Sequence, residues 1–316
     1  MEKSKTHLVF PLFVLAIYGL LLASRLISRE MLSYGGNYYL SLIVIQLLIF
    51  AVPAALFCRT KEIGYAAKLN FRLFAPSTVG IILLSALLLI AASWLIRLTQ
   101  LVASGAETAA FTLYGSFSPG SVTNAGDAIY ITLAFAVIPA VTEEFLYRGL
   151  LFTEYANAGY GWAVTTFLSS LLFAMMHFST TGFPIYFVGG LVFSGLTYVS
   201  RSVIPAMLAH FLFNFYSLFG EGYVLKVMGK ADNLILVLFL FGIFFLLFLI
   251  GYLSEGERIN AVSGVLDVET PAYVEERKKV YPKRSDRLRH AAEALFSPFF
   301  LLCVVTYLVV VFMFRN

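Results

Sequence analysis

Five ionisable side chains, Glu143, Glu144, Arg148, His177 and His210, stand in segments otherwise apolar enough to lie in a bilayer. A charged group at the centre of a membrane helix costs about 2.5–3.5 kcal/mol on insertion scales, so five in neighbouring segments call for a shared polar site. Their spacing gives that site a geometry. Glu144 and Arg148 are four apart, hence on one helix face with the acid N-terminal to the base, an order that favours an ion pair. Glu143 is rotated by about 100° from Glu144, shares a face with Tyr147, and is left available to a group outside its own helix. Phe173 and His177 repeat the four-residue spacing, as do His210 and Asn214. Each helix then offers a polar pair, or a polar residue beneath an aromatic, to a common interior, as in sites built between facing helices of a bundle.

These groups suit hydrolysis. A carboxylate with little solvent around it is a stronger proton acceptor, an effect that a nearby cation opposes, so base strength is tunable. Amide and imidazole donors fixed in a dry cavity stabilise developing negative charge.

The elements that must carry them are membrane spans. Of 316 residues 60% are hydrophobic and 13% charged, too few charges to cover a soluble domain of this size, whereas a span needs only about 20 apolar residues. Apolar runs near 8–26, 39–57, 78–96, 128–150, 162–178, 184–200, 203–219, 233–253 and 295–314 predict an all-α, polytopic transmembrane helix bundle of about eight to nine spans. We divide it into N-terminal spans and loops (1–127), a core holding the polar residues (128–219), and C-terminal spans with a charged loop at 254–290 (220–316). Lys3 and Lys5 before the first apolar run imitate a secretory signal, but the next run follows almost at once, which favours a retained span. Basic residues at 59–72, Arg201 and the block 277–289 predict a cytoplasmic N-terminus, with Arg25, Arg29, Arg97, Lys226 and Lys230 in the opposite loops. The block itself is explained by that sorting. Cys58 and Cys303 lack metal-ligand spacing and are expected as packed or lipid-facing thiols. Pro139 and Pro205, shortly before Glu143 and His210, predict kinks.

Glu-Glu-x-x-x-Arg at 143–148, Phe-x-x-x-His at 173–177 and His-x-x-x-Asn at 210–214, in that order and in separate apolar spans, resemble the three motifs of the CPBP family. That family comprises the type II CAAX prenyl endopeptidases and the bacteriocin-processing or Abi-type membrane proteins, and the resemblance covers about residues 128–219. It implies a glutamate-dependent intramembrane endopeptidase in which Glu143 activates water, His177 helps to hold or deprotonate it, and His210 with Asn214 donates to the oxyanion. Glu144 and Arg148 shape the site. The substrate would be a peptide or protein in the lipid bilayer, prenylated or not. No cofactor and no nucleic acid are expected, and the location is an integral multi-pass one, the cell membrane if the source is prokaryotic.

Other readings share these residues. Two histidines and a glutamate could bind Zn²⁺, although three ligands would have to converge from three spans without a His-Glu-x-x-His helix. The charges could line an ion or proton path, although no matching halves are visible. An immunity or scaffold protein without catalysis is a further alternative. One geometric tension stands out. Counted from the span ends, Glu143 falls toward the cytoplasmic end and His177 toward the opposite one. Tilt, a fourth helix continuing to about Asn157, or a fifth starting deeper would bring them level.

Overall fold

A computed structural model describes residues 5–27, 31–32, 38–60, 69–105, 125–266 and 284–313. The described residues contain helices and no strands. In chain order they are α1 (Thr6–Ser24), α2 (Tyr38–Arg59), α3 (Thr78–Ser104), α4 (Ala125–Asn157), α5 (Trp162–Met175), α6 (Phe183–Ser200), α7 (Ile204–Phe219), α8 (Glu221–Met228), α9 (Leu234–Leu266), α10 (Arg284–Leu295) and α11 (Pro298–Met313). Lys3, Arg29, Lys61, Lys68 and the basic residues 277–283 lie outside the described residues. The charged loop expected at 254–290 is shorter than that, because α9 carries on to Leu266 and α10 starts at Arg284, and its residues 267–283 lie outside the described residues.

Each of the nine expected spans falls on a helix. Among the described residues six helices are long and apolar enough to cross a membrane, and a seventh crossing is made if α10 and α11, bent by 49° at their junction, count together. The chain is an integral, multi-pass membrane protein. Length separates the other two: α5 has 14 residues and α7 has 16, so they reach about 21 and 24 Å against a hydrocarbon core of about 30 Å.

Proline shapes α2 and α4. Pro53 and Pro139 each lack a donor and crowd the carbonyl four residues earlier, and each is preceded by a π-helical turn, Leu47–Ala51 and Leu133–Val137. Pro205 differs from expectation. It occupies the first turn of α7, where a missing N–H costs nothing, and so starts that helix instead of kinking it. A third π segment, Phe145–Leu151, follows directly after Glu144, and α4 continues to Asn157.

Two apolar clusters make up most of the core. One joins α1, α2, α4, α5 and α11 through residues such as Tyr18, Phe50, Leu150, Leu172 and Cys303. The first helix is thus an integral part of the packing, and Tyr18 Oη donates to Leu172 O at 2.7 Å. The other joins α3, α6, α7 and α9. Cys303 is buried, Cys58 half-buried, and neither is in a disulfide. Helices α5 and α6 approach so closely that a Cβ on Gly190 would lie 2.7 Å from Ser170 Cβ.

Arg97 corrects the loop assignment. Helix α3 runs past it to Ser104, and Arg97 is buried, ion-paired with Glu221 of α8 and stacked over Trp94. A buried pair can continue a helix beyond the point where the apolar run stops.

Candidate active site

The polar residues meet at the seam between the two clusters, where Phe173 belongs to one and Phe193 and Phe213 to the other. A cavity of about 300 Å³ opens there. Glu143, His177, His210 and Asn214 all line it. The depth conflict inferred from span ends therefore does not arise, and two features of the helices remove it. Helix α4 is long and turns π-helical directly after its glutamates, and α5 stops at Met175, so that His177 occupies the turn beyond the helix end instead of a fifth span reaching 178. The expected pairing with Phe173 survives as a hydrogen bond, His177 Nδ1 to Phe173 O at 3.0 Å. A carbonyl only accepts, so Nδ1 carries the proton, and Nε2 of the neutral ring is an acceptor. Tyr186 fixes the ring plane by stacking at 3.7 Å between centroids and 12° between planes.

Glu144 and Arg148 lie behind the cavity wall, each fully buried. Arg148 Nη1 donates to Glu144 Oε1 at 2.9 Å, as the spacing required. Its other donors are committed too. Nη2 reaches Gly190 O at 3.0 Å, Nε reaches Ser194 Oγ at 3.4 Å, and the guanidinium lies 4.6 Å from the centroid of the Phe173 ring. The glycine thus has two uses, close packing of α5 on α6 and a carbonyl turned to the arginine.

The same Glu144 oxygen also faces His210, whose Nδ1 is 3.0 Å away. Sequence spacing showed the ion pair but not this contact, which crosses from α4 to α7. A carboxylate accepts, so His210 Nδ1 is the donor and its Nε2 is the nitrogen left for the cavity. Phe193 stacks on the imidazole at 4.9 Å and Phe173 meets it edge-on at 5.9 Å. Asn214, one turn further along α7, lines the cavity, and its side chain makes no hydrogen bond to another described residue.

Glu143 is buried and accepts one hydrogen bond, from Gln46 Nε2 of α2 at 3.1 Å to Oε1. Gln46, Tyr186, Gly190 and Ser194 escaped the motif reading. A lone amide inside the apolar run Leu-Ile-Val-Ile-Gln-Leu-Leu was the available signal for the first. Among the described residues no group of three or more His, Cys, Asp or Glu side chains is placed to hold a metal ion.

Residues 125–216 match the family model described as type II CAAX prenyl endopeptidase Rce1-like. The matched stretch contains all three motifs and bears out the family resemblance drawn from them. No match was found among curated proteins or among solved structures.

Proposed function

We propose, for an Rce1-like region set in a multi-pass membrane protein, a metal-free intramembrane endopeptidase in which Glu143 activates water. The observation that carries this reading is the gathering of Glu143, His177, His210 and Asn214 around one cavity, although they come from three separate segments.

Water sits between the Glu143 carboxylate and His177 Nε2, both of which accept. Its oxygen attacks the scissile carbonyl carbon while one proton passes to Glu143. The carbonyl oxygen becomes an oxyanion facing the Asn214 amide and His210 Nε2. For His210 to donate there, its ring must hold two protons, and Glu144 at Nδ1 is placed to stabilise that imidazolium. Charges then balance: Arg148 and His210 against Glu143 and Glu144. Collapse of the intermediate breaks the C–N bond, and Glu143 returns its proton to the leaving amine. The products are a free amine and a carboxylic acid that keeps the second water proton until it ionises.

The other wall of the cavity is apolar, with Leu21, Leu42, Ile45, Ile49 and Phe135, and suits a membrane-associated peptide with its apolar part, a side chain or a prenyl group, along that wall. The test is cleavage of prenylated and unmodified membrane peptides by purified protein in liposomes, with and without chelator. Cleavage lost in Glu143→Ala and indifferent to chelator is the expected result. Chelator-sensitive cleavage would return the zinc reading, and a folded protein that cuts nothing would favour the transport, immunity or scaffold alternatives.

A further inference from the structure

Helix α2 lies outside the family match at 125–216, yet it closes the cavity. Its contribution is a stripe, Leu42, Ile45, Gln46 and Ile49, whose spacing of three, four and seven is one face of a helix. Three members of the stripe are apolar. The fourth is an amide, and it is the one that meets Glu143.

We infer that Gln46 is a positioning residue for Glu143. Partial burial of a polar amide on an otherwise apolar face is costly unless it is hydrogen-bonded. Here the donor is matched to the carboxylate that the proposed reaction uses as base. The bond from Gln46 Nε2 to Oε1 restrains the carboxylate about its last torsion and leaves Oε2 for the water of the proposed reaction. That torsion is broad in an unrestrained glutamate, so an external donor has an orientation to fix. The π turn Leu47–Ala51 begins directly after Gln46. It holds Ile49 of the cavity stripe next to Phe50 of the packed core.

The inference rests on the peptidase reading, and its test separates the two. Gln46→Met keeps the length of the side chain and removes the donor. Its kcat in the liposome assay is expected to fall about 10- to 100-fold, the range for losing a hydrogen bond to a charged group, with KM and detergent melting temperature nearly unchanged. Leu48→Met, on the exposed side of the same helix, is the control. A purely structural amide would lower the melting temperature and leave kcat alone, and that result overturns the inference. Infrared difference spectra read the contact without activity. The carboxylate band that Glu143→Gln removes should shift in Gln46→Met. If wild type cleaves nothing but the band shifts, the peptidase reading fails and the contact stands. If the band stays in place, Gln46 does not position Glu143.

Discussion

Removing both charges of the Glu144–Arg148 pair should restore stability that either single removal destroys, and should not restore activity. Both side chains are fully buried, and Glu144 Oε2 already has no partner, so the pair stands or falls on Oε1. In Arg148→Met the carboxylate keeps only His210, and a buried charge deprived of its partner costs about 3–5 kcal/mol. Glu144→Gln leaves the guanidinium similarly exposed to an apolar surround, with Phe173 and Phe193 on its faces. At about 2–4 °C per kcal/mol, each single variant should melt roughly 10 °C below wild type in detergent. The double variant Glu144→Gln/Arg148→Met removes both members of the buried pair, and replacing such a pair by neutral groups is often close to neutral. It should melt within about 5 °C of wild type, so the two single losses are far from additive and the coupling is about 6 kcal/mol. Peptide cleavage should nevertheless stay down by about 100-fold or more, because in the proposed reaction Glu144 holds the His210 imidazolium that donates to the oxyanion and a neutral glutamine would not. A double variant no more stable than the weaker single would refute the ion-pair argument. Near-normal cleavage by the double variant would refute the role given to Glu144 through His210.

Gly190→Ala places a methyl carbon 2.7–2.8 Å from Ser170, so it should destabilise by about 1–3 kcal/mol in thermal unfolding, and Ser170→Gly in the same chain should recover part of the loss. Tyr186→Leu removes the plate that stacks on His177 and should lower kcat about tenfold, whereas Tyr186→Phe, which keeps the ring, should stay within about twofold of wild type. Equal activity of the leucine and phenylalanine variants would show that the stack does not orient the histidine.

Local spacing carries local geometry, and that part of the site was legible. Glu144 and Arg148 meet because both ride one helix, and His177 meets Phe173 O because four residues bring the ring back to that carbonyl even where the helix ends. Contacts between helices were not legible in the same way. His210 on Glu144, Gln46 on Glu143 and Arg148 on Gly190 join residues 66, 97 and 42 positions apart, and no periodicity within one segment encodes them. Hydropathy found the helices but misjudged their ends, for two physical reasons. Arg97 ended the apolar run although its pairing with Glu221 lets α3 continue, and His177 seemed to sit in a span because the turn that holds it is itself apolar.

In the proposed reaction, the two short helices let hydrolysis and burial coexist. Cutting a peptide bond requires water, and a bundle of full-length apolar spans would keep water from Glu143. Helices α5 and α7, at 14 and 16 residues, fall roughly 6–9 Å short of the hydrocarbon thickness, and they are the helices that bring in His177, His210 and Asn214. Non-helical backbone at membrane depth is tolerated where it is buried in protein or lines a polar cavity. The turn after Met175 meets that condition, since His177 faces the cavity and its Nδ1 returns to Phe173 O. Ser179 Oγ in turn accepts from the Gly182 N–H and helps to start α6. A short helix is thus a structural requirement of the site: each residue missing from its end shortens the path from solvent to the carboxylate by about 1.5 Å. Lengthening α5 by one turn after Met175 should therefore abolish cleavage even with all seven motif residues intact, because His177 would move by about 5.4 Å along the axis and leave the stack with Tyr186.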